Sequence, residues 1–345
     1  MRRLYRRGPR TAIGLAVLGL TLFVSLPAQS DEAKQGTEWW RGTYTAQVEN
    51  DVFWGTGDGH YTNGLRLSWV SPEHDTPRWW RWWSARLPLL AQASRARTGL
   101  AIGQNMYTPD DISVRGLIAD DRPYAGWLYG SYGVNVEKDE RILDSAALAL
   151  GVVGPASGAE DVQKWFHDVI ETVPPEGWDN QLENEPGIVL SYERRVRQWQ
   201  QFDGDLPLEL DLTPHGGFSL GNIFTHLNAG ATLRLGRGLK SDYGAPRIGS
   251  NLTGTEFFKP QRTWVFYGFA GVEARLVGRN IFLDGNSFTD SHSVDRELLV
   301  GDLQVGLVLA RKALRFTFTY VYRTQEFEGQ DDPDRFGAFS LSAEF

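Results

Sequence analysis

Oxygen-bearing side chains flank one short segment early in the chain, Glu49-Asn50-Asp51 before it and Tyr61-Thr62-Asn63-Gly64 after it. Further on, Gln163 and His167 stand four residues apart. Asn and Asp side chains, with loop carbonyls, make the all-oxygen donor set that a hard divalent cation such as Ca2+ takes. Imidazole is the side chain that takes up a proton near neutral pH. Brought together, these groups could hydrolyse an ester: the imidazole deprotonates a water and the cation stabilises the oxyanion. Each also has an ordinary explanation. Asn and Asp end strands by bonding their own backbone, and a histidine beside an apolar helix stripe can be a packing residue. The fold decides between them.

The histidine belongs to a helix. Ser157-Gly158-Ala159-Glu160 has capping-box spacing, Val162, Phe166 and Val169 recur at i, i+4, i+7, and Pro174-Pro175 forbids continuation. About four turns are expected, with Gln163 and His167 beside the apolar stripe and so against whatever the stripe covers.

The acceptor-rich residues belong to strands. In the last run Phe339, Leu341, Ala343 and Phe345 alternate with Ser340, Ser342 and Glu344. In the run before it, Phe316, Phe318, Tyr320 and Tyr322 alternate with Arg315, Thr317, Thr319 and Arg323. Such runs extend about ten residues, the length of a tilted strand crossing a hydrocarbon layer and longer than the usual strand of a soluble sandwich. Twelve are expected, at 42–53, 62–71, 97–107, 125–137, 142–154, 185–197, 207–220, 223–236, 264–277, 296–310, 313–324 and 336–345. An even number closes an antiparallel barrel with both termini on one side and leaves no strand edge for lipid to solvate. The segments 54–61, 108–124, 155–184, 278–295 and 325–335 then face outward, and Arg66, Glu193, Arg195, Glu209, Asp211, Arg234, Glu273, Arg275 and Asp302 face the lumen.

Composition agrees. Residues 1–30 carry five arginines, no acid, an apolar run at 12–26 and an Ala28-Gln29-Ser30 ending, as a secretory signal peptide does. Without them Lys+Arg falls from 35 to 30 against 43 acids, a net charge near −13, which excludes a nucleic-acid binder. There is no cysteine to staple the fold. Tryptophans number 13, and Trp39, Trp40, Trp79-Trp80-Arg81-Trp82-Trp83, Trp199 and Trp264 fall near the terminal ends of the strands, as in an interfacial girdle. The expectation is an all-β, twelve-stranded transmembrane barrel of the outer membrane over 31–345, one domain and a monomer, with a short helix in an outer loop. On this threading Asn50, Asp51 and Thr62 share a rim with the Gln163/His167 helix.

These residues resemble the outer-membrane lipid A 3′-O-deacylases. The resemblance runs over about 43–345 and is carried by Glu49-Asn50-Asp51, Tyr61-Thr62-Asn63-Gly64, Gln104-Asn105-Met106-Tyr107-Thr108-Pro109, Asp121-Arg122-Pro123-Tyr124-Ala125-Gly126-Trp127, Gly151-Val152-Val153-Gly154-Pro155, Gln163-x-x-x-His167, Gly177-Trp178-Asp179-Asn180-Gln181-Leu182-Glu183-Asn184 and Gly221-Asn222. It implies a Ca2+-dependent, outward-facing site that hydrolyses the 3′-linked acyloxyacyl ester of lipid A in lipopolysaccharide, among outer-membrane lipids. His167 would be the general base, Asn50 and Asp51 would hold the cation, and Thr62 and Gln163 would be polar neighbours required for activity. Asp121 and Arg122 match a motif near the site, and Arg122 is either a contact for substrate phosphates or half of a rim ion pair. The loop Trp54-Gly55-Thr56-Gly57 is shorter than in some members, and Arg115 is the one basic residue in 108–120.

Two other functions compete. A serine phospholipase of the outer membrane needs a Ser–His–Asn arrangement, and no Gly-x-Ser-x-Gly occurs; His292-Ser293 is the nearest pairing. A pore or binding barrel needs no loop helix.

Overall fold

The alternating runs become twelve antiparallel strands: β1 Thr43–Asn50, β2 His60–Val70, β3 Arg95–Thr108, β4 Ala125–Lys138, β5 Ile142–Val153, β6 Glu185–Val196, β7 Glu209–Gly221, β8 Phe224–Arg237, β9 Gln261–Asn280, β10 Leu299–Lys312, β11 Leu314–Arg323 and β12 Asp334–Glu344. They are seen in a computed structural model that describes residues 40–51, 60–87, 90, 92–93, 95–201, 208–246 and 255–345. The expected signal peptide, Trp39 and the Trp54–Gly57 loop lie outside the described residues. Each strand pairs with its sequence neighbour, and β1 closes on β12, with Thr43 opposite Glu344 and Asn50 opposite Gly337. Closure pairs the backbone within the wall, which hydrocarbon could not hydrate. Two short strands, His74–Asp75 and Gln198–Gln201, extend the sheet beside β3 and β7. Among the described residues the α-helices are α1 Arg78–Ser84, α2 Ala159–Ile170 and α3 Ile281–Asp284.

The period-two pattern sorts the faces. On β3, Leu100 and Ile102 are exposed while Ala101 is buried; on β10, Leu303, Val305 and Leu307 are exposed while Asp302 and Gln304 are buried. The outer face is thus an apolar belt, and the barrel lies in the outer membrane as the alternation predicts.

The lumen is filled from both ends. At the rim opposite the termini, Ile281, Phe282 and Leu283 of α3 are buried, and Phe282 stacks on Tyr107 with ring centroids 4.0 Å apart. At the terminal rim the β8–β9 connection turns inward. Asp242 receives the Arg234 guanidinium at 2.7 Å and the Tyr267 hydroxyl at 2.9 Å, while Glu256 pairs with Arg66 at 3.2 Å. Arginines buried in the wall need counter-charges inside the barrel, because an unpaired buried charge costs several kcal/mol; the loop supplies them.

Helix α2 differs in detail from its sequence expectation. It runs for 12 residues, about three turns, and begins after Gly158, an N-cap with a left-handed φ of 67° and no side-chain cap. Ser157 instead sits in a 3-10 turn, where its carbonyl accepts from Gln104 Nε2 at 2.7 Å. The predicted stripe is split: Val162 packs inward, but Val169 is exposed, and Ala159, Gln163 and His167 form the buried line.

A candidate active site on the lipid side of the wall

Helix α2 lies outside the barrel. On β3 the outward-facing series passes from exposed Leu100 and Ile102 to Met106 and Thr108, buried to 2% and 0%. Met106 packs with Ala159 and Val162 of the helix, together with Ile112, Tyr124 and Trp178 from the two loops around it. The neighbouring strand offers Gly126, where a Cβ would lie 2.1 Å from Ser157 Oγ and 2.3 Å from Ala159 Cβ. Only a glycine lets the helix start this close. Gly126→Val is expected to lift α2 and cut activity roughly a hundredfold while the barrel stays folded, as heat-modifiable migration on a gel will check.

The strand ends bring their polar residues to the same sector. Asn50 follows the outward series of Tyr44, Ala46 and Val48, yet is 3% exposed; its Nδ2 donates to the Thr62 carbonyl at 3.0 Å. Asn50 pairs with Asn63 of β2, and Asn63 pairs with Met106 of β3. Two strand spacings of about 4.8 Å thus separate Asn50 from the residue beneath α2. Thr62 reaches this face through a bulge: the β2–β3 register slips between Tyr61 and Asn63. Simple alternation from Arg66 and Ser68 would turn Thr62 inward, but its Oγ1 bonds the Oγ1 of outward-facing Thr108 at 2.7 Å. Asp51, just past β1, is 5% exposed.

On α2, Gln163 and His167 are 2% and 3% exposed. Gln163 Oε1 accepts from the Trp178 indole at 2.7 Å, so its Nε2, buried and without a hydrogen-bond partner among the described residues, is the donor left. His167 Nδ1 lies 2.5 Å from the Val173 carbonyl. A carbonyl only accepts, so Nδ1 carries the proton and Nε2 the lone pair. Trp165, Val169 and Val173 stand exposed beside this buried pair.

Arg122 does not reach this surface. Its guanidinium is fully buried and donates to Glu326 at 3.1 Å, between the rings of Tyr107 and Phe327, which is the ion-pair alternative; no phosphate role is assigned to it. Burial pushes the Glu326 carboxyl up, but Arg323 and Arg122 outweigh it and hold the group below the usual carboxylate range. The stabilisation is therefore present above the ordinary glutamate range and lost as pH falls through the lowered value. Glu326→Ala is expected to cost about 3 kcal/mol at neutral pH, read as a lower urea midpoint. Asp121 serves the loop: its carboxylate accepts from the backbone of Asp110 at 2.8 Å and of Arg122 at 2.7 Å.

Among the described residues, Glu193, His215 and Glu273 form a separate group whose ligand atoms lie within 4.8 Å of one another. It is in the lumen, and its members are engaged by each other and by Arg195, 2.8 Å from Glu193. His292, of the possible serine arrangement, contacts the Asp121 carbonyl at 2.7 Å through Nε2, with Ser293 exposed beside it. The positioning roles of Trp178, Thr108 and Gly126 were not read from the sequence: all three stand inside the motifs quoted above, but their partners are far away in sequence.

The chain matches the family described as outer membrane protein LpxR over residues 15–345. The solved structure of LpxR from Salmonella typhimurium is similar at TM-score 0.71 and 22% identity, covering 88% of this chain and 100% of that one. The β domain of the Bordetella autotransporter BrkA aligns at TM-score 0.44 and 12% identity, over 88% of this chain and 99% of that one. No curated protein matches the sequence. With the family match extending over the whole barrel, its rim loops and helix α2, the chain belongs to the LpxR family of outer membrane proteins.

Proposed function

We propose that the chain is an esterase that removes the 3′-linked acyloxyacyl group of lipid A, from a site at the outward-facing rim, with His167 as general base and Ca2+ as cofactor. One observation supports this above all: the buried polar residues lie on the lipid-facing side of the wall, so the substrate they meet must itself be a membrane lipid. Asn50, whose amide nitrogen is turned to the Thr62 carbonyl, and Asp51 offer oxygen alone, which fits a hard cation. Bound there, Ca2+ would supply positive charge for the carbonyl oxygen as it becomes an oxyanion.

The remaining work falls to the side chains. His167 Nε2 takes the proton from a water, its tautomer fixed by the Val173 carbonyl behind Nδ1. Gln163, held by Trp178, keeps its buried Nε2 as a hydrogen-bond donor for the substrate or the attacking water. The Thr62–Thr108 hydroxyl pair fixes the floor beside Asn50. Trp165, Val169 and Val173 give acyl chains an apolar approach from the bilayer.

The test is to incubate the refolded barrel and Ca2+ separately with lipid A and with a diacyl phosphatidylethanolamine, and to read products by mass spectrometry. Loss of the 3′ acyloxyacyl mass from lipid A, with the phospholipid intact, is expected. Lysophospholipid would favour the phospholipase, and no hydrolysis of either by a folded barrel would overturn the proposal.

A further inference from the structure

A second helix also lies outside the barrel, at the opposite end of the same strands. Helix α1, Arg-Trp-Trp-Arg-Trp-Trp-Ser, is carried by the 71–94 connection at the terminal rim. Its Trp80 is 1% exposed and packs with Ala96 of β3 and Val134 and Val136 of β4, beside Ile142 and Ala146 of β5. Those positions face outward: Tyr132, on the same face of β4, is 46% exposed, whereas Val134 and Val136 fall to 1% and 0% under the tryptophan. The helix is therefore clamped to the lipid side of the wall. About ten residues of β4 separate Val136 from Gly126 under α2, which for a strand tilted by about 40° is a rise of roughly 25 Å, the height of the apolar band.

The rest of α1 is turned to its surroundings. Trp79, Trp82 and Trp83 are 46–49% exposed, and Arg78, Arg81 and Arg86 are exposed among them. Arg86 lies over the Trp82 ring at 3.8 Å. No acidic side chain pairs with these three arginines among the described residues, although Arg95 and Arg97 nearby are matched by Glu73 and Asp75. Indoles settle at the membrane interface, and arginines beside them meet headgroup phosphates.

We infer that α1 is a docking site for anionic glycerophospholipid headgroups in the leaflet at the terminal rim, held there by Arg78, Arg81 and Arg86, with the tryptophans seated at the headgroup boundary. The clamp fixes the depth of strands β3 to β5 in the membrane and so the height of α2 at their other end. That leaflet is the periplasmic one on the orientation proposed above, but the test needs neither that orientation nor any hydrolysis.

The full-length folded barrel is mixed in detergent with equal dioleoyl phosphatidylglycerol and dioleoyl phosphatidylcholine, and retained lipid is counted by native mass spectrometry. The wild-type chain is expected to retain phosphatidylglycerol preferentially. At roughly fivefold per arginine, the Arg78→Gln/Arg81→Gln/Arg86→Gln variant should lose on the order of a hundredfold in affinity for it, with phosphatidylcholine retention unchanged, and the triple Arg→Lys variant should keep most of the preference. Equal retention of the two lipids by the wild-type chain, or an undiminished preference in the folded glutamine variant, would overturn the inference. The wild-type arm decides even if the variant does not fold.

Discussion

Replacing His167 by Asn is expected to slow ester hydrolysis by about 10²- to 10⁴-fold, the range for losing a positioned general base, with the barrel unchanged in heat-modifiable migration. The substitution is chosen for what it keeps. An asparagine amide can still donate toward the Val173 carbonyl that His167 Nδ1 contacts, so the end of α2 stays anchored. What it removes is the second nitrogen, the proposed acceptor of the proton from water. Initial rates on purified lipid A, followed by mass of the product, check it; a variant within threefold of wild type would remove His167 from the chemistry.

The second large effect concerns the cation. Withdrawing Ca2+ with a chelator, in detergent so that lipopolysaccharide cross-bridging is not at issue, is expected to lower the rate by at least about 10²- to 10³-fold, as losing oxyanion stabilisation does elsewhere. Asp51→Asn should show a higher Ca2+ requirement, because it removes the one formal negative charge in the Asn50/Asp51 pair. The fold is held by its own hydrogen-bonded closure and lumenal ion pairs, so the urea midpoint should change little. Undiminished activity in chelator would exclude the cation. Activity restored by Zn2+ but not by Ca2+ would point to the mixed nitrogen and oxygen donors of Glu193, His215 and Glu273 in the lumen instead.

Much of the wall was legible because a two-residue period over ten residues repeats its evidence at every step: Leu303, Val305 and Leu307 each report the same face. Strand ends were less so. β9 runs on to Asn280 rather than 277, since its last turns leave the membrane and pack α3 into the mouth, where hydrophobicity no longer alternates toward lipid. The capping-box spacing at Ser157 failed because the nearby Gly126 takes the Ser157 side chain against the wall and Gly158 supplies the left-handed start.

The site was half legible. Gln163 and His167 stood out as a pair, and counting from Glu49 places Asn50 on the outer face. Thr62 could not be placed so simply, because one extra residue in β2 reverses which face it meets. Nor could Arg122 be assigned, since its partner Glu326 is 204 residues away and nothing local marks it. Contacts of that range come from closure of the barrel, which local sequence patterns do not encode.

The decisive experiment is a crystal structure of the chain grown with Ca2+. It should show one cation bound by side-chain oxygens of Asn50 and Asp51 on the outer side of the wall, with His167 Nε2 a single water away beneath α2. A His167 ring turned from that cation, or a cation held in the lumen with nothing at Asn50 and Asp51, would contradict it.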